Sequence, residues 1–281
     1  MADPVCVITG VGPGTGSALA RRFASGGYRV AMLARTKERL DALESEIGGS
    51  KGYVCDVAEP EQVAEALASV KRDLGAPRVL IHNAVGGAFG SFLEIDPATL
   101  DRNFQVNAMA LLYLARAVAP DMIEAGEGAI LVTGNTSARR GKANFAGFAP
   151  TKSAQRILAQ SMARTLGPQG VHVAYFVIDA VIDVPWTRRA FGDRRERLER
   201  GAPGSFGLVV RCGDAALRRG VVGPWLLVVL DLGPPVLDGA VGIAAHPDAQ
   251  IVDARSAPLA VHVRHGLDPG VVLPKLCVVG E

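Results

Sequence analysis

The hydrophobic pattern of the first 180 residues alternates between short apolar runs and longer segments in which apolar residues recur every three or four positions. Continuous apolar runs predict parallel strands that are covered on both faces, whereas the longer spacing predicts amphipathic helices. We therefore expect an α/β protein with a doubly wound parallel sheet in a three-layer α/β/α arrangement. The predicted strands are residues 5–8, 29–33, 53–55, 79–81, 129–132 and 172–178.

A helix is predicted after each of the first five strands. Thr36 has the position and side chain of an N-cap for a helix that carries Leu40 and Leu43 on one face. Another helix is expected to begin near Pro60, a long helical region to end before Gly126, and a last helix to cover residues 148–166. The strand-helix alternation over this stretch predicts one domain, residues 1–190.

The composition of the remaining segment, residues 191–281, is different. Residues 193–281 contain no Thr, Asn, Tyr or Met, and Lys275 is their only lysine. Globular segments rarely lose four common residue types together. Two interpretations remain open: a divergent tail that completes the sheet and covers the substrate, or a chain whose reading frame shifted in GC-rich DNA. Residues 225–230 are the best candidate for a last strand of the sheet.

The turn after the first strand is rich in glycine and carries Gly10, Gly12, Gly14, Thr15 and Gly16. Glycine permits tight turns and close approach of a ligand to the backbone. A helix that opens at the end of such a turn directs free N–H groups and its positive dipole end at an anion. The order of strand, glycine turn and helix therefore predicts a site for the phosphates of a dinucleotide.

Composition and charge indicate which partners and which cellular compartment the protein is expected to have. The net charge of +2 and the interleaving of basic with acidic residues do not favour a nucleic-acid partner. Four cysteines without ligand-like spacing predict neither disulfides nor a metal site, which fits a reducing cytoplasm. The apolar run 220–230 is too short to cross a bilayer. We expect a cytoplasmic protein with no membrane partner and no metal.

Residues 4–190 resemble the short-chain dehydrogenase/reductase family, because the glycine turn is followed in order and spacing by further motifs of that family. The resemblance implies a Rossmann-like cofactor domain. It also implies that Asp56 and Val57 contact the adenine ring. His82-Asn83-Ala84-Val85 stands where the family usually has Asn-Asn-Ala-Gly, so that Asn83 and Ala84 match and would support the cofactor.

The resemblance extends to the catalytic residues only in part. Asn107 and Lys152 match the asparagine and lysine of the active site. The tyrosine that transfers a proton four residues before the lysine corresponds to Phe148, and the partner serine corresponds to Asn135. Phenylalanine has no proton to give, so the chain is expected to be an atypical member. A water held by Asn107 and Lys152 is one way to supply the proton. The histidines, His82 among them, are expected only to pack.

The corner just after the second predicted strand, residues 34–37, bears on the choice of cofactor. NAD-binding folds usually place a carboxylate there to hold the ribose 2′-hydroxyl. This chain has Arg35 instead, with Lys37 close by, and a guanidinium pairs with a 2′-phosphate. NADP(H) is therefore favoured over NAD(H), although both residues can also be solvated charges at a helix start.

Two functions of different classes follow from these residues. The first is an NADP(H)-dependent oxidoreductase acting on a small carbonyl or alcohol substrate. The alternative is a catalytically impaired dinucleotide-binding protein, either a cofactor sensor or an assembly partner. The resemblance also implies a homodimer or homotetramer built on the two long helices, whose small apolar faces allow such contacts. Core packing against the sheet would explain the same faces equally well. Those faces are Ala108, Leu111 and Leu114 on one helix and Ala159 and Met162 on the other.

Overall fold

The computed structural model describes residues 3–179, residue 189 and the backbone of residues 207–212. Six parallel strands lie in the order β3-β2-β1-β4-β5-β6, and a seventh strand pairs with β6 in the antiparallel direction. The doubly wound parallel sheet is thus confirmed. The strands are β1 (Val5–Thr9), β2 (Arg29–Ala34), β3 (Ser50–Val54), β4 (Pro77–His82), β5 (Gly128–Asn135), β6 (Val171–Asp179) and β7 (Gly207–Cys212).

A helix follows each of the first five parallel strands, and two of the helices have typical capping residues at their ends. Asp96 caps the fourth helix, its carboxylate accepting from the Ala98 and Thr99 N–H groups at 3.3 and 3.0 Å. Gly126 ends the fifth helix in the left-handed conformation, with φ of +66°. The helices are α1 (Thr15–Ser25), α2 (Lys37–Glu46), α3 (Pro60–Leu74), α4 (Pro97–Phe104), α5 (Ala110–Ala125) and α6 (Ala149–Leu166), with a π-helical turn, Gln105–Met109, between α4 and α5.

Both faces of the sheet are buried, as continuous apolar strands require. Val5 and Val7 of β1 belong to one core cluster, which includes residues of α3, α5 and α6. Cys6 and Ile8 belong to the other, which includes residues of α1 and α2. The two-residue period of the strand therefore distributes a single apolar run between two helical layers.

The strand order reverses at β1, because β2 and β3 lie on one side of it and β4 and β5 on the other. As a result, β1 and β4 are neighbours in the sheet although β2 and β3 separate them in sequence. In open α/β sheets, ligands bind in the crevice outside the carboxyl ends of the strands at such a switch point. This topology places the end of β1 beside the end of β4, and β5 follows next to it.

Several local predictions require correction. The fifth strand is longer than predicted and reaches Asn135, and the third begins at Ser50 and ends at Val54. Thr36 does precede α2, but its side chain makes no capping hydrogen bond. The small apolar residues whose faces allow an oligomer interface pack within the chain, and the oligomeric state stays a prediction. Ala108, Leu111, Leu114 and Ala159 are buried in this way, and Met162 is partly buried against the same core.

The stretch 97–125 is long and apolar enough to cross a membrane by length and composition alone. In the fold it includes a core helix, because Leu111, Leu114 and Met122 of α5 are completely buried against the sheet. The predicted last strand, residues 225–230, lies outside the described residues. The division of the chain at residue 190 stays a prediction.

Candidate active site

The loop from β1 to α1 needs glycine at two of its predicted positions. Gly10 has φ of +67°, and a Cβ there would lie 2.5 Å from the backbone of the loop after β4. A Cβ on Gly16 would lie 2.5 Å from the Gly10 carbonyl oxygen, whereas one on Gly12 would meet nothing within 4 Å. No side chain caps α1, which begins at Thr15 after Gly14. An uncapped helix start beside an open glycine turn is suited to a phosphate group.

A set of buried hydrogen bonds holds this turn against the end of β4. The Thr9 hydroxyl accepts from the backbone N–H groups of Asn83 and Ala84 at 3.2 and 3.3 Å. The Asn83 side chain donates to the Gly10 carbonyl at 2.9 Å and accepts from the Thr133 hydroxyl at 3.2 Å. Asn83 therefore links the ends of β1, β4 and β5, and its side chain holds the first residue of the glycine turn in place.

His82 does more than pack, which corrects the prediction from sequence. The ring is completely buried, with Nδ1 3.0 Å from the Thr9 hydroxyl and Nε2 3.1 Å from the Val106 carbonyl. Because Thr9 accepts from two N–H groups, its own proton is donated to Nδ1, and Nε2 carries the proton given to Val106. Burial, with a smaller contribution from the Lys152 charge, lowers the pKa of His82 to about 3. The ring is a neutral bridge from β1 to the π turn.

Asn107 lies in that π turn rather than on a continuous helix. The turn shifts the backbone pairing, so that the Ala110 N–H donates to the Gln105 carbonyl. The Asn107 amide is completely buried; its nitrogen donates to the Gly86 carbonyl at 2.7 Å and to the Thr151 hydroxyl at 2.8 Å. Its oxygen accepts from the Gly86 N–H at 3.1 Å. The side chain thus joins the loop after β4 to α6.

Lys152 is buried near the end of β5, with only 3% of its surface exposed. Its ammonium donates to the Thr133 carbonyl at 3.1 Å and to the Gln155 side-chain oxygen at 2.9 Å. Burial lowers the pKa of Lys152 to about 7. This lysine is therefore poised between its charged and neutral forms at physiological pH, as groups at functional sites often are.

Phe148, predicted to stand at the tyrosine position, occupies the N-cap position of α6, one turn before Lys152. Its ring is buried and lies 5.7 Å from that of Phe89, centroid to centroid. Its carbonyl accepts from the Thr151 hydroxyl at 2.9 Å, which connects it to Asn107. Asn135 ends β5, and among the described residues its buried side-chain oxygen has no hydrogen-bond partner.

The residues predicted to meet the adenosine end of a cofactor lie beside β2 and β3. Within residues 3–179, the exposed Arg35 guanidinium makes no hydrogen bond or ion pair, whereas Lys37 is paired with Asp41 at 2.7 Å. Asp56 forms an ion pair with Arg102. The Asp56 carboxylate also accepts from the Ala58 N–H at 3.1 Å, while Val57 is buried. A contact of Asp56 or Val57 with adenine stays a prediction.

Gln155 was missed by the sequence analysis. It is completely buried, and its side-chain nitrogen donates to the Asn107 carbonyl at 2.9 Å while its oxygen accepts from Lys152. A signal was available, because residues three apart on a helix lie on one face and Gln155 follows Lys152 at that spacing. The structure thus brings Asn107, Phe148 and Lys152 together through Thr151 and Gln155.

Comparison with known proteins agrees with this combination of fold and site. The short chain dehydrogenase family model matches residues 4–190. L-xylulose reductase of Mus musculus is 30% identical over 215 residues, which are 75% of this chain and 86% of the relative. A doubly wound parallel sheet with a glycine turn after its first strand is the architecture of the dinucleotide-binding class of α/β proteins. The chain belongs to the short-chain dehydrogenase/reductase family.

Solved structures give the same result. A metagenomic short-chain oxidoreductase in complex with NADP is 32% identical, with a TM-score of 0.61 over 73% of this chain and 95% of that chain. An NAD⁺-bound xylitol dehydrogenase is 28% identical, with a TM-score of 0.64 over 67% of this chain and 75% of that chain. The relatives are oxidoreductases, and the dinucleotides in these solved structures occur both with the 2′-phosphate, as NADP, and without it, as NAD⁺.

The neutral His82 bridge predicts an acid-sensitive stability. Between about pH 6.5 and pH 3 the unfolded chain binds a proton at this histidine and the folded chain does not, so stability is lost as the pH falls. The loss approaches about 1.4 kcal/mol per pH unit in this window. Urea unfolding of wild type and His82→Gln from pH 7 to pH 4.5 measures it. We expect a shallower decline for the variant; identical slopes would contradict the assignment.

Proposed function

We propose that this protein is an NADP(H)-dependent oxidoreductase that interconverts a small carbonyl compound and its alcohol. The observation that carries the proposal is the position of the buried Lys152 beside Asn107, close to the carboxyl ends of β4 and β5, where the glycine turn is also anchored. A family member with both parts of this arrangement retains the means to bind a dinucleotide and to present a polar group to a substrate oxygen.

The glycine turn fits the phosphates of the cofactor. Gly10 and Gly16 leave no room for side chains, Gly12 opens to free space, and α1 starts without a side-chain cap. When bound, a nicotinamide cofactor supplies the hydride. The chain's own contribution is to orient that cofactor and to exclude water from the buried amide and ammonium groups around Lys152.

Arg35 supports the choice of NADP(H). Its guanidinium lies just beyond β2 and is exposed, with no partner within residues 3–179 to compete for it. Lys37 already has the Asp41 carboxylate within 2.7 Å. A 2′-phosphate would therefore pair with Arg35 first, and bidentate pairing suits a guanidinium better than an ammonium.

Lys152 is the group of this site that can give a proton. Phe148 offers only an apolar ring, which packs on Phe89, and the Asn107 side chain is used in hydrogen bonds to Gly86 and Thr151. The pKa of about 7 places the Lys152 ammonium close to the ideal range for general acid catalysis near neutral pH. In the proposed reaction, Lys152 donates a proton to the substrate oxygen while the site excludes water, and the neutral amine regains a proton from solvent after the product has left.

A cofactor sensor or assembly partner without turnover is the second candidate function. It is favoured by the aromatic packing of Phe148, which leaves the expected phenol position apolar. For either function we propose a cytoplasmic homodimer or homotetramer. Ile157, half exposed on α6, is available for such contacts.

The cofactor preference is tested at Arg35. Arg35→Ala should raise the Kd for NADPH by about 10- to 100-fold, because a charged hydrogen bond to the 2′-phosphate is lost, and leave the Kd for NADH within about twofold. Lys37→Ala is the matched control and should change neither value by more than about threefold, since Lys37 is bound to Asp41. Calorimetric titrations of wild type and both variants with NADPH and NADH measure the six constants. Equal losses for both cofactors would contradict the role of Arg35.

The catalytic interpretation is tested at Phe148. Phe148→Tyr restores a phenol one turn before Lys152, and general acid catalysis typically contributes about 10²–10⁴-fold. We therefore expect at least a tenfold rise in kcat for reduction of reactive carbonyl substrates with NADPH, measured by loss of NADPH absorbance.

Phe145→Tyr, three residues earlier in the same loop, is the matched control and should leave kcat unchanged. No gain from Phe148→Tyr in a protein that still binds NADPH would favour the sensor.

A further inference from the structure

The Gln155 amide spans the gap between the two matched catalytic positions. Its oxygen lies 2.9 Å from the Lys152 nitrogen, and its nitrogen lies 2.9 Å from the Asn107 carbonyl oxygen. Gln155 and Asn107 are completely buried, and Lys152 is 3% exposed. The side chain thus makes both contacts that a water between Asn107 and Lys152 would make.

The orientation of this amide is fixed by its neighbours. An ammonium can only donate, so the Gln155 oxygen has to face Lys152, and a carbonyl can only accept, so the nitrogen has to face Asn107. Reversing the amide would set two donors against each other and two acceptors against each other. The bridge is therefore a directed chain of hydrogen bonds from the Lys152 ammonium through Gln155 to the π turn.

We propose that Gln155 is the positioning residue of this site, whose amide holds the Lys152 amino group near the end of β5 and keeps it protonated for proton donation. This role rests on the proposed function. Lys152 acts on the substrate, and Gln155 acts only through Lys152.

The physical basis is the cost of a buried ammonium. A charged amine out of water is stable only when acceptors replace its hydration. Lys152 has two acceptors among the described residues, the Thr133 carbonyl and the Gln155 oxygen. Burial already lowers the pKa of Lys152 to about 7, so losing one acceptor would make the neutral amine the main form at neutral pH.

The other titratable groups of the surroundings do not replace this acceptor. His82 on β4 is a neutral bridge whose own pKa is lowered, first by burial and then by the Lys152 charge. Tyr175 on β6 contacts the Lys152 backbone carbonyl at 3.4 Å, and burial raises the pKa of its phenol. Arg156 on α6 donates to the Ala138 carbonyl at 3.2 Å. None of the three offers a negative charge to the ammonium near neutral pH.

Two substitutions move the Lys152 charge in opposite directions. Gln155→Leu removes the acceptor and should lower the midpoint of Lys152 titration by about one pH unit. Gln155→Glu places a carboxylate against the ammonium and should raise it by about one to three units. Gln160→Leu, at an exposed position of the same helix, is the matched control and should leave the midpoint unchanged.

The experiment is an NMR titration of the full chain labelled with ¹³C,¹⁵N-lysine and free of cofactor, following the Cε and Nζ shifts of Lys152, assigned by Lys152→Arg. In parallel, the pH above which NADPH-dependent carbonyl reduction declines is recorded for each variant. We expect this pH to fall with Gln155→Leu and to rise with Gln155→Glu. A side chain with a merely structural role would lower activity or stability without opposite shifts.

Midpoints that stay within about 0.3 unit of wild type in both folded variants, or that move in the same direction, would overturn the proposal. If Gln155→Leu does not fold, Gln155→Met, closer to glutamine in shape, takes its place. If the two variants shift the Lys152 midpoint in opposite directions but the protein reduces no carbonyl, then Gln155 does control the charge of Lys152. The proposed role of Gln155 in catalysis would be refuted. That result would also refute the proposed oxidoreductase, so failure of the function is distinguishable from failure of the bridge.

Discussion

The burial of the Lys152 ammonium is the constraint on which the arrangement of this site depends. A charge with 3% of its surface exposed requires acceptors at fixed positions, and here they come from β5 and from α6 itself. The helix, the strand end and the π turn must therefore keep their distances within the tolerance of a hydrogen bond. Gln155 extends this requirement to the backbone of Asn107.

A second chain of buried polar groups starts at the other side of the site. The Thr9 hydroxyl takes two backbone N–H groups of the loop after β4 and gives its proton to His82, whose ring in turn donates to Val106. Both chains end at adjacent carbonyls of the same π turn. The π turn is thus the element that both hydrogen-bond chains contact, one from the end of β1 that precedes the glycine turn and one from Lys152. Such turns often lie at functional sites.

Much of the fold could be predicted from periodicity alone, because buried parallel strands such as β1 are continuous apolar runs with glycine or polar residues at their ends. The glycine turn was also readable, since Gly10 and Gly16 are required by close contacts that only glycine allows. The π turn could not be predicted, because Gln105–Met109 continues the helical pattern of its neighbours. The side chains that contact its carbonyls come from β4 and α6, which are distant in sequence. The hydrogen bonds of His82 could not be predicted, because a histidine in an apolar run does not indicate which distant groups its ring nitrogens will contact. Ala108 and Leu111 lie on a face that allows an interface by its pattern, but both are buried within the chain.

The proposed NADP(H) site is best tested by calorimetric titration of the wild-type full chain with NADPH and with NADH. We expect one NADPH bound per chain and binding of NADH at least about tenfold weaker, because NADH has no 2′-phosphate to pair with Arg35. Binding of neither cofactor by a sample that melts cooperatively, and is therefore folded, would contradict it.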